Sequence, residues 1–369
     1  MSRNRKQMST DIFDRIHAAA FANDENYVAD SHPRWIARKD DVDADLMANA
    51  EIRVLPLGMQ IFSMSVSYKT KRFFCFSGLP KPAEVPVGLS PVDATPGLFA
   101  CAVVLGDMPA IASAAQVLDA IGQQYHGIDG YYGHDLSDIL LFFPEISFFE
   151  VSDGVDENYL LNLERVAGSY VSRGYQKRPL DLNPNTLKKL VELFEGGPDA
   201  IPYHLPLQGV MSYSWPSLFL DLYRCLEQLY SAPRLANLIE KVHHDGSLSD
   251  LARILENVLS WRPREEESLA TLLNKLSRTA RESLISSFFV GQTDLSEATG
   301  EKCASYVYKL RNSHVHFRPA MSADKISSYQ WNSIISAMCD AVIEVYLEMG
   351  GSFFDKNLLK SRIETVVSS

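Results

Sequence analysis

Long apolar runs, paired cysteines, glycine-rich phosphate loops, internal repeats and an excess of positive charge are all missing from this chain of 369 residues. Without a run near the ~20 apolar residues that a bilayer requires, no membrane span is expected. The basic start Met1-Ser2-Arg3-Asn4-Arg5-Lys6 has no apolar core behind it, so it reads as a frayed tail and not as a secretory signal. The five cysteines (Cys75, Cys101, Cys225, Cys303 and Cys339) are odd in number and form no C-x-x-C pair. That pattern argues against a disulfide frame or a zinc site and for free thiols in a reducing cytoplasm. Cys225, Cys303 and Cys339 fall in helical patterns as small core residues.

A net charge of −11 argues against a surface that is cationic throughout. The acidity is uneven. Residues 1–200 hold 18 Lys+Arg against 27 Asp+Glu, whereas residues 201–369 hold 17 against 19. The second half therefore retains room for a local basic patch facing a phosphate backbone.

What is present divides the chain in two. The first part mixes helix and strand signals. Residues 10–29 show helical spacing behind Ser9-Thr10-Asp11, and Arg34–Asp45 is charged and expected at the surface. Gln60–Tyr68 and Arg72–Ser77 are β-prone, with Tyr68-Lys69-Thr70-Lys71 as a hairpin connection. Pro80–Pro96 holds five prolines and reads as an extended loop. Leu98–Leu105 reads as a buried strand and Ala110–Gln124 as a helix, a strand-to-helix order that hints at an α/β unit. The loop Gly127–Asp135 is rich in glycine and aromatics. It suits a close approach to a ligand or, more plainly, a surface turn. Residues 137–151 fit two strands or a helix and a strand, and 155–173 and 184–195 read as helices. Gly196-Gly197-Pro198 marks the expected domain boundary.

Beyond residue 200 helical periodicity takes over. Helices are expected from Ser214-Trp215-Pro216, over Arg234–His244 and Ser249–Trp261, as one continuous helix over Glu265–Ser287, from Gly300 to about Arg311, and over Ser327–Met349. The fold class read from the sequence is thus an α+β first part (1–200) followed by an all-α helical bundle (205–369).

The densest chemistry lies in Tyr308-Lys309-Leu310-Arg311-Asn312-Ser313-His314-Val315-His316-Phe317-Arg318-Pro319. Metal-independent RNA cleavage needs a group near neutral pKa to move the 2′-hydroxyl proton and a cation to stabilise the phosphorane. His316 and Arg311 supply that pair. On a continuous helix their spacing of five places them about 140° apart, so both reach one cleft only if the helix ends near Asn312. An arginine with a histidine close behind recurs by chance in a chain this long. The stricter Arg-Asn-x-x-x-His occurs once. Glu265-Glu266-Glu267 reads as a helix first turn, and Trp215, Trp261 and Trp331 as core or interface anchors.

Arg311-Asn312-Ser313-His314-Val315-His316 resembles the R-[polar]-x-x-x-H signature of HEPN domains. Its flanks look like those of the Apea-like group in prokaryotic defence proteins. Leu222–Tyr230 is similar to that family's early helix, where an acidic residue often faces the site. The resemblance covers roughly residues 205–350 and leaves the first part unassigned. It implies a helical bundle that pairs as a homodimer, in which Arg311 and His316 from both copies form one composite ribonuclease site. It implies Asn312 and Glu227 as supporting residues, an RNA substrate, a 2′,3′-cyclic phosphate product, and no metal or cofactor. It leaves His314 outside the pattern. A toxin or abortive-infection role follows, with residues 1–200 as a sensor or regulatory domain answering a regulatory protein or a phage-derived trigger. The alternative is a catalytically silent assembly or adaptor protein that keeps only the fold.

Overall fold

The computed structural model describes residues 3–122, 124–152, 158–176, 179–261, 264–289, 295, 297–315 and 326–355. The chain divides into two compact units, Met1–Leu163 and Glu164–Ser369. Together they are of mixed α+β character, and no described helix is long and apolar enough to cross a membrane.

The first unit opens with α1 (Arg5–Asn23), capped by the Asn4 side chain on the Gln7 N–H. The helix therefore begins ahead of Ser9-Thr10-Asp11, and Arg5 and Lys6 form its first turn instead of a tail. α2 (Asp41–Asn49) follows, capped by Asp40. Arg34, placed at the surface by the charge of its neighbours, is buried. Next come β1 (Glu51–Gly58), β2 (Ile61–Tyr68), β3 (Lys71–Ser77) and β4 (Leu89–Val92). α3 (Pro96–Leu105), α4 (Ala114–Ile121), α5 (Leu136–Leu140) and β5 (Ile146–Val151) complete the unit. The strands form one sheet in the order β1-β2-β3-β5-β4, antiparallel at every pairing.

Two expectations change here. Leu98–Leu105 is helical, not a strand. Thr95 caps it on the Leu98 N–H, and Pro96 stands at the first turn, where its missing N–H costs nothing. Because α3 is apolar nearly all round, it has no amphipathic period to set it apart from a buried strand. With that strand gone, the α/β unit hinted at by the strand-to-helix order disappears too. The Lys69-Thr70 hairpin is present, with Lys69 in the left-handed region at φ 54°. β3 is buried on both faces from Phe73 to Ser77, and register sorts its side chains between them. Phe62, Met64, Val66, Phe73, Cys75 and Phe148 share the core with α1, α3 and α4.

The described elements of the second unit are all helical. α6 (Leu163–Arg173) and α7 (Pro184–Gly196) join it, so the division falls well before Gly196-Gly197-Pro198. Gly168 on α6 lies so close to α7 that a Cβ there would sit 2.2 Å from the Phe194 ring. Arg165, buried on α6, donates to the carbonyls of Phe194 (2.8 Å), Glu195 (3.0 Å) and Gly197 (2.7 Å), pairs with Asp199, and lies over the Tyr203 ring. The Gly-Gly-Pro stretch is thus a clamped helix end and not a linker.

α8 (His204–Val210), α9 (Trp215–Glu227), α10 (Ala232–Val242) and α11 (Leu248–Leu259) follow. The segment expected as one helix over 265–287 is two, α12 (Glu265–Leu273) and α13 (Arg278–Ser287). Ser277 caps the second, while Arg281 holds the Asn274 and Leu276 carbonyls between them. No glycine or proline announces this break. α14 (Gly300–Val315) packs on α12, and α15 (Ser328–Val345) runs into a π turn at Tyr346–Gly350.

Asn332 of α15 is buried and ties its own helix to the stretch ahead of α7. Its Oδ1 accepts from Asn183 N–H, and its Nδ2 donates to the carbonyls of Asp181 and Ser328. Asn332→Ala removes these part-buried hydrogen bonds and is expected to cost about 1 kcal/mol. Urea unfolding with an unchanged slope would show the loss as a lower midpoint.

Candidate functional site

Three helices bring the site together. α9 carries Tyr223 and Glu227 four residues apart, hence on one face. α12 contributes Glu265 from its first turn, and α14 contributes Arg311 and Asn312. α14 comes close because it begins at Gly300, where a Cβ would meet the Ala270 carbonyl at 2.5 Å.

The Arg311 guanidinium is the centre. Its side chain is 16% exposed, and it stands 3.6 Å from a Glu265 carboxylate oxygen whose side chain is 40% exposed. It lies 5.8 Å from the centroid of the Tyr223 ring, on which a cation is attracted by the π face. Its Nη1 donates to Asn312 Oδ1 at 3.0 Å. Tyr230 donates its hydroxyl to the Tyr223 hydroxyl at 2.5 Å. Burial pushes the Tyr223 phenol up to about 12 and raises Tyr230 as well, so both stay protonated at neutral pH.

Glu227 is half-buried beside this cation. Burial raises its carboxyl above the ordinary 4.5, Arg311 pulls it back down, and Glu265 adds to the rise. A carboxyl raised on folding keeps its proton longer in the folded state. Stability therefore falls as pH climbs from about 4.5 through the folded value. Glu227→Gln removes that loss. The variant is expected to match wild type in thermal midpoint at pH 4 and to exceed it at pH 7, as read by circular dichroism.

Of the residues named from the sequence, Arg311, Asn312 and Glu227 meet in one cluster. His316 lies outside the described residues. The helix does not end near Asn312 but continues through Val315. Neither Ser313 nor His314 has a strong preference against helix, and Leu310 on the same helix is buried, so tertiary packing carries the helix onward. His314 rests its ring on Trp331 at 5.6 Å, away from the motif's expected role, and burial of that face lowers its pKa below 6.5. Trp331 is itself buried, stacked on Trp215 and tilted against Phe219.

Two participants were not singled out for this site. Tyr223 reads as one more apolar residue on α9, and Glu265 as a first-turn carboxylate. The spacing of Tyr223 and Glu227 carried the missing signal, since whatever faces Glu227 also faces Tyr223. All five cysteines are buried and free, with Cys303 pushed up to about 11 by burial. They are core thiols at neutral pH, not nucleophiles.

No family model matches the chain, and neither a curated protein nor a solved structure does.

Proposed function

We propose that the second unit is a metal-independent endoribonuclease of HEPN type, working as a homodimer in the cytoplasm and serving as a toxin or effector in antiviral defence. The observation that supports this reading is the Arg311 cluster. The motif arginine and the acidic residue named from the early helix, far apart in the chain, meet on adjacent helices with Asn312 on the guanidinium.

In this mechanism His316 takes the proton of the 2′-hydroxyl as that oxygen attacks the adjacent phosphorus. A protonated histidine then returns a proton to the departing 5′-oxygen. Arg311 carries the phosphorane charge on two N–H donors. The P–O5′ bond breaks as the P–O2′ bond forms, leaving a 2′,3′-cyclic phosphate and a 5′-hydroxyl. Glu265 holds Arg311 loosely at 3.6 Å and from an exposed position, so an arriving phosphate takes its place. Dimerisation supplies the second Arg311 and His316 to a shared cleft.

A second reading has its own observation. Arg311 already has Asn312 as an acceptor and two carboxylates nearby, which repel phosphate. On that reading the cluster holds α9, α12 and α14 together in an assembly or adaptor protein. RNA cleavage assays on the full chain, in EDTA and over a range of activating conditions, separate the two. Cleavage lost in Arg311→Ala and in His316→Ala favours the enzyme. Dimers that never cleave favour the adaptor.

A further inference from the structure

The first unit has an open groove of about 610 Å³ with no part in the site above. One wall is a stripe of α1. Lys6, Ser9, Thr10, Phe13, Asp14 and His17 recur at steps of three and four, so they share a helix face. The opposite wall is the segment from Asp30 to Trp35. A groove of this size suits a small organic ligand.

The second wall is held firmly. Trp35 donates its indole N–H to the Tyr132 carbonyl at 3.1 Å and packs against the rings of Tyr131 and His126. These partners come from the glycine-aromatic stretch around Gly127–Asp135, whose Gly133 fits against Trp35 and Ala37 only because it lacks a Cβ. Arg34 pairs with Asp30 at 2.9 Å, donates to the Ile121 carbonyl at 2.5 Å and lies over the Tyr125 ring. Its side chain is 2% exposed, yet its Nε has no hydrogen-bond partner, an unmet donor in the wall of the groove. His17 is fixed by the Tyr27 hydroxyl at 2.6 Å.

Charge is distributed along the groove's length. Arg5 and Lys6 stand in the first turn of α1, where the helix dipole also favours an anion. Asp14 lies about 12 Å farther along the axis by the helical rise. Trp35, partly exposed, supplies flat apolar surface between these ends, over a floor closed by the buried Phe13. We propose that this groove binds a nucleoside phosphate, with its base against Trp35, its phosphate at Arg5 and Lys6, and its sugar hydroxyls or ring amino group at Thr10 and Asp14. The carboxylates of Asp14 and Asp30 disfavour a polyanion along the whole groove, whereas a single phosphate group meets only the cationic end. Free phosphate alone leaves the aromatic walls unused.

Calorimetric titration of the full chain with AMP, GMP, CMP and UMP tests this, with adenosine and inorganic phosphate as separate arms. At least one nucleotide is expected to bind about tenfold tighter than either adenosine or phosphate, a difference of about 1.4 kcal/mol. Lys6→Glu, at an exposed position, is expected to weaken that nucleotide about tenfold and leave adenosine unchanged. Trp35→Leu is expected to weaken both. No heat from any nucleotide, phosphate binding as tightly as the nucleotides, or nucleotide affinity unmoved by Lys6→Glu would overturn the proposal. None of these outcomes depends on whether the second unit cleaves RNA.

Discussion

Arg311→Ala is expected to reduce RNA cleavage by at least about 100-fold, the scale on which the loss of one preorganised donor to a transition-state oxyanion is felt. His316→Ala is expected to match it, because in the proposed mechanism each removes one of two functions that act in the same step. The double variant should therefore lose little more than either single one. Arg311→Lys is the sharper substitution. Lysine keeps the charge and the contact with Glu265 but not the planar fork that reaches two phosphate oxygens. Activity that survives Arg311→Lys largely intact would reduce the role of Arg311 to charge alone. Substrate affinity is expected to change less than turnover, since the phosphorane forms only in the transition state. In cells, either alanine variant should relieve growth arrest caused by the activated protein.

The second large effect concerns stability. Arg165→Met is expected to cost about 3 kcal/mol, because methionine fills much of the space but leaves the carbonyls of Phe194, Glu195 and Gly197 without the donors that hold them. For a unit of this size that corresponds to a fall of about 6–12 °C in the thermal midpoint. The carbonyls at the end of α7 are among those that no intrahelical partner satisfies. Arg165 meets them from α6 while lying over Tyr203. Arg165→Lys should recover only part of the loss, since an ammonium group serves fewer of these acceptors at fixed positions. A change of less than about 1 kcal/mol would mean that Gly196-Gly197-Pro198 is held by something else.

That clamp also explains where the sequence was legible. Gly-Gly-Pro reads as a linker because nothing local shows that an arginine some thirty residues earlier binds it. Most helices of the second unit were visible because their apolar residues recur at steps of three and four, but α8, short and carrying Pro206, was not. α9 begins at Trp215 with Pro216 behind it, as the Ser214 cap and the proline suggest. The break between α12 and α13 was not visible. It depends on Arg281 reaching back to two carbonyls and on Ser277 as a cap, without a helix breaker in the sequence. In the first unit the β2–β3 hairpin was legible from its aromatic and β-branched residues. α3 was not, since an element buried on every side has no polar face to give it a period.

The site was legible in the same uneven way. Arg311, Asn312 and Glu227 were each named from residue type and resemblance, and they come together across α9 and α14. Glu265 escaped notice because its part in the cluster exists only once α12 flanks α14, whereas Tyr223, one turn before Glu227 on α9, was within reach of the spacing. The helix end expected near Asn312 was argued from the preferences of single residues. Burial of Cys303, Ala304, Val307 and Leu310 along α14 decides the matter instead and carries the helix to Val315.

The central claim is that the second unit cleaves RNA through Arg311 and His316 without a metal. Its most direct test is the end chemistry of the products when the full chain acts on RNA in EDTA. The account predicts fragments ending in 2′,3′-cyclic phosphate with 5′-hydroxyl partners, absent from Arg311→Ala and His316→Ala. Products ending in a 3′-hydroxyl with a 5′-phosphate, cleavage that EDTA abolishes, or the same fragments from both variants would contradict it.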